Sequence, residues 1–306
     1  MDAKDRRKGV ALFAVALAVT AWGFGPLLVN GISTSATTVV FWRMWVSQPV
    51  MIAIAYLTGG RLSWPLLRRS FITGACFAAT MMLAFVSFRE TSIVNATLIP
   101  ALQPALILLV AGRLFGERRT RSELGLAAVA LAGAIIVVLG ASSDGSSRFG
   151  DLLAVGNLLL FTVYFLLSKH HRDQDVHTWS WIASVFLVAA VFVTPWCLLT
   201  SDDLGGMHGT DLLWLVLLVL GPGVVGHGLM TWAHAHLDVS LTSLLSLGSP
   251  VISTIGAWAI FSQALSASQI VGAVVVLVAL GVLISKQRAD VALAAEAATT
   301  QDLLDS

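Results

Sequence analysis

Ten stretches of about twenty residues, each nearly free of charge, limit this chain more than any motif does. They lie near 10–30, 37–57, 71–88, 92–112, 122–140, 150–168, 179–199, 212–233, 240–261 and 267–285. A hydrocarbon core of about 30 Å is crossed by roughly 20 apolar residues in helical conformation. The fold class expected is therefore an all-α integral membrane protein with ten transmembrane helices. Composition agrees, since of 306 residues 57% are hydrophobic and 11% charged, against about a quarter charged in soluble domains. The first run follows KDRRK and resembles a signal peptide, but it is too long for an h-region and lacks a small-residue cleavage site, so it reads as a helix.

Basic residues orient the stack. With the N-terminus in the cytoplasm, the cytoplasmic segments hold 15 of the 18 Lys and Arg residues. Arg89 and Arg148 fall in external loops, Arg43 lies within a span, and the external loop TSDDLGGMHGTD carries acids and no Lys or Arg. Both termini are expected in the cytoplasm, and the expected location is a bacterial cytoplasmic membrane. A net charge of +1 argues against a nucleic-acid partner, which would want a basic face. Cys76 and Cys197 both sit in apolar runs and suggest neither a disulfide framework nor a metal knuckle.

The two halves of the chain echo each other. TSIVNATLIPALQPALILLVAGRLFGE (91–117) aligns with LDVSLTSLLSLGSPVISTIGAWAIFSQ (237–263) at an offset of 146, placing Pro104 on Pro250 and Glu117 on Gln263. Five spans per half is an odd number, so the halves cross the membrane in opposite senses, the inverted build of many secondary transporters with a substrate site at the midplane. The units expected are a tail 1–9, a first five-helix repeat 10–140, an inverted second repeat 150–285 and a tail 286–306.

AWGFGPLL in span 1, an Arg early in span 2, the ETSIVNA turn into span 4 and LQP…LFGE closing that span together resemble the EamA-type permeases of the drug/metabolite transporter superfamily. The resemblance covers about residues 10 to 285. It implies a ten-helix transporter with both ends cytoplasmic, most often an exporter of small metabolites. Gln263 departs from the family's usual Glu, which leaves a symmetric role of two carboxylates in doubt.

The candidate substrate-binding residues are Trp22, Met81, Phe85, Gln103, Tyr164 and His227, at approximately repeat-related positions in spans 1/6, 3/8 and 4/9, with Arg43 of span 2 added for its depth. Trp22 beside Gly23, Gly25 and Pro26 reads as an aromatic wall, and Tyr164 as its counterpart or as an interfacial anchor. His227, matched to Met81 at the same offset, lies deep in GPGVVGHGLM and reads as a substrate contact, a proton site or a hydrogen-bonded packing residue. Gln103 matches Ser249, each beside a proline that frees a carbonyl in the preceding turn. Arg43 lies about six residues inside the external end of span 2, roughly 9 Å at 1.5 Å per residue. The expectation favours snorkelling to the headgroups; the rival has it facing the bundle at the external mouth of the path. Glu117 reads as an interfacial charge that sets a tight turn, or as a latch to a neighbouring helix. In span 5, Ala128, Ala132 and Gly125 read as a packing face within the chain. HAH at 234–236 reads as a polar cytoplasmic turn rather than a metal site, because positions i and i+2 do not share a helical face.

No G-x-x-x-x-G-K-[ST] loop occurs and all 17 acids fall at span ends, loops or tails. The function expected is a secondary transporter, exporter or exchanger, moving a small metabolite or drug by alternating access, not an enzyme and without cofactor or metal. A membrane-embedded enzyme or a receptor or scaffold is the alternative. The few charges favour a neutral, zwitterionic or aromatic-bearing small molecule over phosphates, which want several Lys or Arg. Lipid is the other partner, and a monomer and a weak dimer are both left open.

Overall fold

The structure is a computed structural model describing residues 3–91, 96–97, 99–117, 120–139, 147–172, 174, 176–261, 267–268, 270–283 and 285–286. Among the described residues every regular element is helical. In order these are α1 (Ala3–Gly31), α2 (Ala36–Leu57), α3 (Trp64–Glu90), α4 (Gln103–Phe115), α5 (Arg121–Leu139), α6 (Arg148–Arg172) and α7 (Thr178–Thr200). Then come α8 (Thr210–Leu218), a π-helical segment (Val219–Gly226), α9 (His227–Ala233), α10 (Val239–Leu245), α11 (Gly248–Phe261) and α12 (Ile270–Leu283). Among the described residues, six segments have the length and apolarity to cross a membrane: Arg7–Gly31, Ala36–Leu57, Trp64–Glu90, Arg148–Arg172, Thr178–Thr200 and Thr210–Ala233. The protein is a multi-pass membrane protein.

Local chemistry sets the helix ends. Ser35 and Ser63 cap α2 and α3 by accepting from Thr38 N and Leu66 N, which satisfies an orphan donor of the first turn. Gly116, at φ 67°, ends α4 in the left-handed conformation a side chain disfavours. The sequence reading of single helices over 92–112 and 240–261 needs correction, while the run 212–233 falls within the one span Thr210–Ala233, whose middle is π-helical. A 3-10 turn, Pro100–Leu102, precedes α4, which then runs on to Phe115; Pro100 and Pro104 each remove a backbone donor. The turn at Ser246 and Leu247 separates α10 from α11. Pro222, flanked by Gly221 and Gly223, lies in the π-helical segment that joins α8 to α9.

Hydrogen bonds identify which helix ends lie together. At the end where α1 finishes, Arg89 Nη2 donates to the carbonyl oxygens of Ile32 (3.0 Å) and Thr34 (3.3 Å). Here Asp211 accepts from Ser33 N and Oγ (2.9 and 2.6 Å), and Asp203 accepts from Ser35 N and Oγ (both 2.6 Å) and Thr38 Oγ1 (2.5 Å). At the end where α1 begins, Glu117 accepts from Val239 N (2.7 Å), Ser240 N (3.2 Å) and Ser240 Oγ (2.5 Å). Lys169 Nζ donates to His234 O at 2.8 Å at that same end. Glu117 therefore joins α10, far along the chain, rather than only turning α4 into α5.

Helices from the two halves interleave. α3 packs on α6 and α7, α2 on α7, and α1 on α11 and the π segment. One apolar cluster gathers around Met44, Phe77, Trp181 and Phe186. A second gathers around Val15, Ile107, Phe165 and Leu247, and Phe161 packs against both. The small face expected in α5 is displaced: Ala128, Ala132 and Gly125 are exposed while Gly133 is buried. A Cβ on Gly133 would come within 2.9 Å of Val275 and Val276, so this glycine lets α5 and α12 touch.

Candidate functional site

Between the two clusters lies a cavity of about 210 Å³. Its walls form because several helices present one face at helical spacing. On α3 the face is Thr80, Met81, Ala84, Phe85 and Phe88, with Phe77 one turn below. On α6 it is Asn157 and Phe161, four residues apart. α1 contributes Trp22, Gly25, Pro26 and Val29, and Gln103 opens α4. Opposite stand Leu218, Pro222, His227, Ser246, Ser249 and Ser253.

Of the seven candidate residues, Trp22, Arg43, Met81, Phe85, Gln103 and His227 line this one cavity. Tyr164 does not line it. It is 2% exposed and stands behind His227, its hydroxyl 3.4 Å from His227 Nδ1. Phe161, one turn earlier on α6, is the aromatic residue that reaches the cavity.

The glycines of GPGVVGHG allow the closest approach in the site. A Cβ on Gly226 would lie 2.5 Å from Trp22 Nε1, and one on Gly228 would lie 2.4 Å from Trp179. Trp22 therefore rests directly on the backbone at the end of the π segment, its ring 5.0 Å from the His227 ring and 6.0 Å from that of Phe161. His227 is boxed in further by Phe77 at 4.8 Å and Phe186 at 5.6 Å. π-helical turns inside α-helices are frequent at functional sites; this one sits beside the wall formed by Pro222 and His227.

Arg43 does not snorkel. It is 2% exposed, its Nη1 donates to Met81 Sδ at 2.6 Å, and its guanidinium carbon lies 5.5 Å from the centre of the Phe85 ring. The snorkelling expectation fails because α2 turns this face onto α3. One turn along α2, Ser47 Oγ bonds its own helix at Met44 O (2.9 Å). Gln103 Nε2 donates to Phe161 O at 3.4 Å. Among the described residues of the lining, buried Trp22 Nε1, Arg43 Nε, Thr80 Oγ1 and Asn157 Oδ1 have no hydrogen-bond partner. Unsatisfied buried polar atoms are rare and costly in a finished core, so the cavity is chemically prepared for a polar guest as well as an apolar one.

Thr80, Asn157, Phe161, Ser246 and Ser253 escaped the sequence reading, in which Ser249 appears as the match of Gln103. Thr80 is adjacent to Met81, and Asn157 is the polar residue of LAVGNLLLFTVY, so both signals were present but neither stands at a repeat-related position. HAH lies in the turn after α9, where His234 is buried against Phe165 at 4.5 Å and His236 Nδ1 contacts Trp232 O at 3.0 Å. The expected polar turn is therefore half-buried. Among the described residues no three His, Cys, Asp or Glu side chains gather to hold a metal.

Comparison with known proteins agrees with this architecture. The aromatic amino acid exporter YddG of Ancylobacter novellus is 29% identical over 168 residues, 53% of this chain and 56% of that protein. The chain thus aligns with little more than half the length of that relative. A solved crystal structure superposes with a TM-score of 0.73 at 22% identity, covering 89% of this chain and 96% of that one, a likeness of fold. The EamA-like transporter family matches twice in succession, over residues 9–139 and 148–285. The chain belongs to the EamA-like transporter family and is a membrane transporter of the drug/metabolite type.

Proposed function

We propose that this protein is a secondary transporter that exports or exchanges a small aromatic-bearing metabolite through the central cavity by alternating access. The observation that carries the reading is the cavity itself, which presents Trp22, Phe85, Phe88 and Phe161 and is lined by residues from both family matches, from Trp22 to Ser253. A site between two halves is what rocking of one half against the other exposes alternately to each side. In this reading ten helices form two inverted five-helix repeats, 10–140 and 150–285, between cytoplasmic tails 1–9 and 286–306 in the cytoplasmic membrane of a bacterium. The opposite directions of α1 and α6 relative to the two ends of the bundle support the inversion, as does the basic-residue asymmetry. Trp22, Arg43, Met81, Phe85, Gln103 and His227 contact the substrate, and Tyr164 orients His227 from behind. The aromatic amino acid exported by the relative is the first substrate to try.

Two measurements test this. Trp22→Ala and His227→Gln, reconstituted in liposomes at normal expression, should each weaken phenylalanine uptake; unchanged uptake in both would move the site elsewhere. Membrane-impermeant labelling of single cysteines should modify a probe placed in 202–209 and spare one in 61–69. The reverse pattern would overturn the orientation.

A further inference from the structure

Among the described residues that line it, the cavity holds a cation and no carboxylate. Arg43 is 2% exposed, and a guanidinium stays charged in proteins. Its observed partners are a thioether sulfur and a ring face, both weak. The sequence places all 17 acids at helix ends, in loops or in the tails, so no carboxylate from the helix interiors can reach it. Burying an unpaired charge is among the costlier features a membrane bundle can carry, and such groups are default markers of function.

We infer that Arg43 is the anion-reading group of the cavity and that the transported molecule carries a carboxylate. The inference rests on the reading of the cavity as the transport site. A planar guanidinium fork matches a carboxylate two-on-two, and Arg43 Nε and Thr80 Oγ1 are free to donate. A phosphate would want further cations, and among the described residues of the lining the other cationic candidate is His227. Asn157 Oδ1 is an acceptor with no partner, so it suits the ammonium of a zwitterion. Trp22, Phe85 and Phe161 then take the apolar end. The cavity distinguishes a carboxylate-bearing aromatic molecule from an amine of the same shape.

The test uses the purified full chain in nanodiscs and five probes: 3-phenylpropionate, L-phenylalanine, phenethylamine, 3-phenylpropan-1-ol and butyrate. Binding is read as the concentration that half-saturates a thermal shift. The two aromatic carboxylates should bind the wild type at least about tenfold more tightly than the amine and the alcohol, by the strength of hydrogen bonds to charged groups. Arg43→Gln should remove that advantage and leave the alcohol unchanged, and Arg43→Lys should retain part of it. The wild-type series decides even where a variant fails to fold. Equal binding of carboxylates, amine and alcohol overturns the assignment while leaving the aromatic cavity standing, and so does an Arg43→Gln variant that weakens every probe alike. Butyrate binding as tightly as 3-phenylpropionate sinks the aromatic reading and keeps the Arg43 assignment. Binding of none of the five overturns both.

Discussion

Gly226→Ala is a one-carbon perturbation whose effect the geometry defines closely. The added Cβ would lie 2.5 Å from Trp22 Nε1 and 2.6 Å from Trp22 Cδ1, about an ångström inside ordinary van der Waals contact. The indole is held between the π segment, His227 and Phe161, so it has to move within the cavity wall. Overpacking of this kind costs about 1 to 3 kcal/mol, and 1 to 2 kcal/mol falling on the substrate-bound state is roughly a five- to thirtyfold loss of affinity. Gly221→Ala, in the same segment, meets nothing within 4 Å and serves as the matched control. Both variants replace glycine by a better helix former, so backbone effects alone would move them together. The assay is concentration-dependent phenylalanine uptake by proteoliposomes, with thermal stability recorded in parallel. Gly226→Ala should raise the half-saturating concentration while Gly221→Ala leaves it near wild type. Equal behaviour of the two would refute the reasoning that Trp22 is positioned by contact with Gly226.

Three further outcomes follow from contacts elsewhere. Glu117→Gln should lower stability by about 1 to 2 kcal/mol, seen as a lower melting temperature, because the amide keeps one acceptor oxygen where both carboxylate oxygens accept from Val239 and Ser240 of α10. Partial burial pushes the Asp203 carboxyl up, but hydrogen bonds from Ser35 and Thr38 outweigh it and hold its pKa below the ordinary 3.8. That depressed value stabilises the fold fully above pH 3.8 and is lost as pH falls further, so the melting-temperature gap between wild type and Asp203→Asn should be constant from pH 7 to about 5 and close only below 3.8. Gly133→Ala should destabilise by about 1 to 3 kcal/mol through Val275 and Val276, whereas Gly281→Ala, with open space around it, should not; equal melting temperatures would remove the α5–α12 contact from the account.

Much of this structure was legible because hydrocarbon makes severe demands on sequence. Six of the charge-free runs coincide with segments long and apolar enough to cross a membrane among the described residues, since each residue type there is restricted by the cost of burying polar groups. Interruptions were harder to read. A proline in a long apolar run is compatible with a continuous helix, a 3-10 turn or a π segment, and which one forms depends on neighbours, as Pro26, Pro100 and Pro222 illustrate. Matching positions between halves brought Trp22, Met81, Gln103 and His227 together before any coordinates, because residues at one depth in related helices face one centre. The same device misplaced Tyr164. It uses depth alone, and the hundred degrees per residue that put Phe161 rather than Tyr164 on the cavity face need the helix rotation, which packing sets. Arg43 was read as reaching outward because distance to the headgroups is a sequence quantity, whereas the turn of α2 toward Met81 is not.

The most direct test of a transport path through the cavity is counterflow with the cavity filled. Ala84 is 7% exposed and lines the cavity, so Ala84→Trp puts an indole into the available space. Wild-type proteoliposomes preloaded with unlabelled phenylalanine should accumulate labelled phenylalanine from outside without ATP. Ala84→Trp, inserted and melting near the wild-type temperature, should accumulate little or none. Counterflow that survives the filled cavity, or a folded wild type that carries no counterflow, would contradict the account.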